Sequence, residues 1–165
     1  MKAISLWQPW ASAVALGSKR IETRSWQTSY RGPIAIHAAK RRLTNKEIAR
    51  FFWETSWRGA LHPAIELYDD VNLFDRLPYG CILAICNLID IVPTWPSHLN
   101  HYRENQDIHE SKRHLFRWTE SDLGDFSDGR YAWILDDTKM LDYPIPYRGH
   151  QSLFEIPDDL IYGTD

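Results

Sequence analysis

Residues 81–92 read CILAICNLIDIV, a stretch apolar at almost every position. Such continuity marks a β-strand buried on both sides, and a strand of that kind obliges the rest of the chain to supply cover for each face. Shorter strand-like stretches surround it: KAISL at 2–6, PIAIHA at 33–38, RYAWILD at 130–136, and a last extended segment, MLDYPIPYRGHQSLFEIP, that turns at Gly149. A chain of 165 residues is long enough for one domain with a core and too short for two.

Two helices are legible between the strands. PWASAVAL follows Gln8, with Pro9 expected at the first helical position and Gly17 in the left-handed conformation beyond the end. Thr44 and Glu47 form a capping box ahead of NKEIARFFWETSW, whose apolar stripe is Ile48, Phe51 and Phe52, with Lys46 and Arg50 facing water. Residues 62–79 read as a short helix and a loop closing at Tyr79 and Gly80. Residues 93–128 lack clean periodicity and read as an insertion with one or two short helices beside the site. The expectation is one α+β domain over residues 1–165, a small, partly closed β-barrel with two or three flanking helices.

The apolar opening of the chain is interrupted by Gln8, Pro9 and Ser12, so it suits neither a signal peptide nor a membrane span. Cys81 and Cys86 lie five apart and should face opposite sides of one strand, which implies no disulfide and a cytoplasmic setting. His98, His101, Asp107 and His109 fall in a loop without supporting ligand spacing, so no metal and no cofactor are expected.

Charge is distributed unevenly. The net charge is −3, against a general polyanion binder, yet nine cations between residues 19 and 50 face only Glu22 and Glu47. Within that region GSKRIETRSW, residues 17–26, is a charged ladder. On a strand, Ile21, Thr23 and Ser25 point one way and Arg20, Glu22, Arg24 and Trp26 the other, with Lys19 at the junction from the helix. Glu22 could accept from a base edge, Arg24 and Lys19 could hold a phosphate, and Trp26 or Trp10 could stack a ring. The plain alternative is a surface salt-bridge ladder worth about 0.2–1 kcal/mol per pair. Trp133, in an alternating strand, reads as core, and Trp53 or Trp57 as packing for the capped helix.

Taken together, SLWQPWASAVALGSKRIETRSW, YRGPIAIHAAK, the strand opening at Gly80 and RYAWILDD with PIPYRGHQSLFEIP resemble the ASCH family, whose domains share a PUA-like β-barrel. The resemblance implies a cleft beside the first helix and the Lys19–Arg24 strand, and RNA-related or modified-nucleoside ligands. By position it implies a site of Lys19, Glu22 and Arg24, a wall shaped by Gln8, Pro9 and Trp10, and a nearby turn carrying Arg148 and Gln151. One branch of the family is similar to an amidohydrolase acting on N4-acetylcytidine through a lysine, a threonine three residues later and a glutamate on a later strand. Here Lys19 is kept, but Glu22 occupies the threonine position and the later strand offers Asn87 or Asp90, so that hydroxyl nucleophile is absent.

A second branch is similar to a ribonuclease on single-stranded RNA, for which Lys19 and Glu22 would be catalytic, Arg24 would hold the phosphate and His37 would be a reserve base or a satisfied strand residue. Three functions follow: a binder of single-stranded RNA, a nucleotide or a modified nucleoside, in a cleft lined by Trp10, Lys19, Glu22, Arg24 and Trp26; a small hydrolase on RNA or nucleosides; and a protein-interaction module presenting exposed tryptophans.

Overall fold

The computed structural model describes residues 1–53, 60–61, 73–94 and 123–163. Its strands are β1 (Lys2–Leu6), β2 (Ile21–Arg24), β3 (Gly32–Ala38), β4 (Cys81–Pro93), β5 (Tyr131–Pro146) and β6 (Leu153–Glu155). Its helices are α1 (Trp10–Ala15), α2 (Asn45–Trp53), α3 (Leu73–Arg76) and α4 (Asp159–Tyr162). The strands form one sheet in the order β2-β5-β4-β3-β1-β6, curled into a half-barrel. The expectation of an α+β fold around a partly closed sheet holds, with four helices among the described residues where two or three were expected. The helix after the last strand, α4, was not foreseen.

The apolar run lies at the centre, as β4 between β3 and β5. Its first half is covered on both faces. Leu83, Cys86 and Leu88 belong to a cluster with Val14, Ile36 and Trp133 beneath α1, while Ile82 packs with Ala3, Ala35, Phe154 and Ile156. Helix α1 rests on β1, β3, β4 and β5, closing one side of the curl.

A bulge corrects the simple alternation. His37 pairs with Ile82 and Ile36 with Ala84, and on the other side Ile82 pairs with Ile145 and Ala84 with Met140. Leu83 has no partner in either ladder. One extra residue shifts the two-residue period by one, so Cys81 and Cys86 enter the same core cluster rather than opposite faces. Both thiols are free, and burial pushes Cys86 up to about 12. RYAWILD and MLDYPIP join as one long strand, β5, with Asp137 at φ 47° where the ladder with β4 is irregular.

Local chemistry explains the helix ends. Pro9 is the N-cap of α1, one position earlier than expected, and the Gln8–Pro9 peptide is cis. Gln8 is fully buried; its Oε1 accepts the Ser12 N–H at 3.1 Å and its Nε2 donates to the Pro78 carbonyl at 2.7 Å. It thereby serves one of the otherwise unmatched N–H groups of the first turn. Gly17 takes φ +72° beyond the helix, as anticipated. The capping box forms: Thr44 N and Oγ1 both donate to Glu47 Oε2 at 2.8 Å, and the Arg41 guanidinium adds a 2.6 Å bond. These bonds, that of the Thr44 N–H foremost, hold the Glu47 carboxyl at about 2.

The stripe of Phe51 and Phe52, the packing of Trp53 and Trp57, residues 62–72, the histidine loop and most of the 93–128 insertion lie outside the described residues or side chains. Among the described residues, no helix is long and apolar enough to cross a membrane. Trp133 fills the centre of the largest cluster at 1% exposure, meets Trp26 edge-to-face at 4.7 Å, and donates from Nε1 to the Trp26 carbonyl at 3.2 Å. Trp133→Ala is expected to lower the free energy of unfolding by about 3–5 kcal/mol in denaturant titration. A loss below ~1 kcal/mol would mean that the core does not hinge on this ring.

Candidate functional site

Among the described residues strand β2 lies at an edge of the sheet, hydrogen-bonded within it to β5 alone. Alternation works as expected here: Ile21 and Thr23 are buried, and Glu22 and Arg24 are half-buried. The chain reaches β2 by folding back from α1, where the Ser18 and Lys19 N–H groups both bond the Ala13 carbonyl at 3.0 Å. That turn drives the Lys19 side chain inward until nothing of it is exposed.

Buried, the Lys19 ammonium donates to the Ile21 carbonyl and lies 3.6 Å from Glu22 Oε2. Arg24 reaches the same carboxylate from outside, with Nε 3.1 Å from Glu22 Oε1. The Arg24 N–H is not aimed at the oxygen, so this contact is Coulombic, while its Nη2 donates to the Ser5 carbonyl at 2.8 Å. Glu22 is thus held between two cations. Gly124 closes over the group: a Cβ there would sit 3.3 Å from Lys19 Nζ, 3.4 Å from Thr23 Oγ1 and 3.0 Å from Phe126 Cε2.

Above this group lies a cleft of about 300 Å³. Trp7 and Trp10, Glu22 and Arg24, and Asp125 and Arg130 are among the residues that line it. Arg130 is anchored by a 3.1 Å bond from Nη2 to the Thr23 carbonyl and stands 3.4 Å from Asp125. Among the described residues the Nε groups of both Arg24 and Arg130 have no acceptor, so the two guanidiniums keep an excess of donors.

The residues named from sequence therefore divide. Trp10, Glu22 and Arg24 meet in the cleft. Lys19 is buried and does not line it, and Gln8 and Pro9 are buried at the start of α1. Trp26 turns against Trp133 instead of lining the wall. Arg148 and Gln151 line a second cavity of about 840 Å³, together with His37, Lys40 and Tyr147. The two cavities share one residue, Ser5.

Sequence reading missed Trp7, Thr23, Asp125 and Arg130. Thr23 lies on the side opposite Glu22 and Arg24 and is buried, yet at the edge of the sheet it still contributes to the cleft lining. Asp125 and Arg130 are brought in by the pairing of β5 with β2, which no local pattern announces. Among the described residues no group of three potential metal ligands occurs.

His37 serves the second cavity's wall. Its Nε2 donates to the Tyr147 carbonyl at 3.0 Å, which fixes Nδ1 as the acceptor of the Ser5 hydroxyl at 3.0 Å. Gly149 packs onto this pair so tightly that a Cβ there would collide with the His37 ring. Burial drives the histidine below its ordinary 6.5, against the smaller opposing effect of the Tyr147 bond.

The chain was compared with known proteins. The ASCH domain model matches residues 4–141. Activating signal cointegrator 1 of Mus musculus is 24% identical over 161 residues, and that of Homo sapiens 23%. Each alignment covers 98% of this chain and 23% of the relative, so the chain spans about a quarter of their length. The crystal structure of ASCH from Zymomonas mobilis aligns with a TM-score of 0.49 at 18% identity, covering 98% of this chain and 91% of that one. A single-site variant of the same protein gives 0.49 at 17%, covering 98% and 93%.

A pH prediction follows from His37. Its folded-state pKa lies below 6.5, so the stability gained by keeping it neutral is complete above 6.5 and is lost as pH falls through the folded value. The Glu47 carboxyl, held at about 2, titrates well below this window. The melting temperature should drop between pH ~7 and ~5, and less so in His37→Gln. Equal drops in both proteins would remove His37 as the cause.

Proposed function

The chain belongs to the ASCH domain family, and on that premise we propose that the cleft beside β2 binds single-stranded RNA. ASCH domains are associated with RNA binding. The observation that carries the reading is the placement of Glu22 between Lys19 and Arg24 in a cleft that Trp7 and Trp10 also line. A fixed carboxylate accepts from the exocyclic amines of cytosine or adenine; guanidiniums hold phosphate oxygens; indoles stack bases whatever their identity. All three kinds of contact open onto one space.

Lys19 acts in this reading as a buried counter-charge that orients Glu22. Its side chain is wholly buried and its ammonium bonds the Ile21 carbonyl. A general acid or base must come within hydrogen-bond reach of the proton it moves. Lys19 does not line the cleft, and this favours binding over a hydrolase built on Lys19 and Glu22.

Binding should be followed by fluorescence anisotropy with short single-stranded RNA. Trp10→Ala should weaken affinity by about 1–3 kcal/mol, the scale of one lost stacked base. Arg24→Ala should weaken it too, and Glu22→Gln should cut the preference for cytosine- and adenine-containing oligomers over oligouridylate. Unaltered affinity in all three variants would dismiss the cleft as the site. Turnover is tested separately, on single-stranded RNA and on acetylated cytidine with chelator present. Cleavage that vanishes in Glu22→Gln would restore the hydrolase reading.

A further inference from the structure

The second cavity, with Arg148, His150 and Lys40 around it, is larger than the cleft and carries no carboxylate among its lining residues. The basic segment Lys40-Arg41-Arg42 connects the two openings. Lys40 lines the second cavity. The Arg41 guanidinium lies 4.4 Å over the ring of Trp7, which belongs to the cleft. The next residue, Arg42, lies 4.9 Å over the ring of Tyr79, which belongs to the second cavity. Ser5 is the wall between them; its carbonyl holds Arg24 on one side and its hydroxyl holds His37 on the other.

We infer that the second cavity is a phosphate-binding subsite, so that single-stranded RNA passes from the cleft over Ser5 into it; this rests on the RNA reading above. The cations there are free for a ligand. Among the described residues, Lys40 and Arg148 have no hydrogen-bond or ion-pair partner, whereas Arg41 gives part of its charge to Glu47 at 2.6 Å. The turn that carries Arg148 is built in advance. Tyr147 is fixed by its N–H to the Gly80 carbonyl at 3.0 Å and by its carbonyl to His37 at 3.0 Å, and Gly149 is seated against the His37 ring. A rigid turn loses little entropy when an anion arrives. Arginine stacked on an aromatic ring at each opening also presents the flat cationic surface on which unpaired bases stack, which an acidic peptide would not use.

The test compares a labelled hexanucleotide RNA with the nucleoside cytidine followed by NMR titration. Lys40 and Arg148 are both exposed, so Lys40→Glu and Arg148→Glu are expected to fold. Each should weaken the hexanucleotide by at least ~10-fold and reduce its slope of log K against log salt by about 0.7 for each phosphate no longer neutralised. Neither should alter binding of cytidine, which carries no phosphate for the subsite to hold. If both variants bind the hexanucleotide as the wild type does while Arg24→Ala fails, the subsite is overturned and the cleft reading stands. If the wild type binds neither ligand, both fall. An acidic peptide of equal charge that competes as well as the hexanucleotide would also overturn the subsite.

Discussion

A lysine with no solvent contact at all must find its charge a partner within the protein, and around Lys19 this requirement organises the site. The ammonium takes the Ile21 carbonyl and the Glu22 carboxylate, and Glu22 in turn draws Arg24 to 3.1 Å. Removing one member of such a buried pair costs about 3–5 kcal/mol, because the other is left charged and unmatched. The α1 turn, the edge position of β2 and the missing side chain of Gly124 all serve to make room for this contact. The ladder in the sequence is therefore not a row of equals. Of its three cations, Lys19 is internal and holds the carboxylate, Arg24 stands at the cleft, and Arg20 reaches Asp136 at 3.3 Å.

Much of the fold was legible because it depends on local rules. The doubly apolar run became the central strand, Gly17 ended α1, and Thr44 with Glu47 capped α2. What escaped depended on partners. The bulge at Leu83 exists only relative to β3 and β5, and it alone brings Cys81 and Cys86 into one cluster. Nothing in the strand's own composition predicts an extra residue.

The site was legible in the same measure. Alternation on β2 gave the sides of Glu22, Thr23 and Arg24 correctly, and family resemblance drew attention to Trp10. Trp26 continued the alternation on paper but is claimed by Trp133, whose indole N–H needs the Trp26 carbonyl. The C-terminal turn was expected beside the cleft, and it is beside it, yet Ser5 and His37 stand between and give Arg148 and Gln151 a cavity of their own. A two-residue hydrogen-bonded wall of this kind cannot be read from spacing, since Ser5 and His37 are 32 residues apart.

The proposed binding role requires ligand to enter among Trp7, Trp10, Glu22 and Arg24. The most direct measurement is an NMR titration of the labelled indole N–H groups with single-stranded hexanucleotide RNA. The Trp7 and Trp10 signals should move with added RNA while that of Trp133, buried and bonded to the Trp26 carbonyl, stays in place. Saturating RNA that leaves Trp7 and Trp10 unmoved would contradict it.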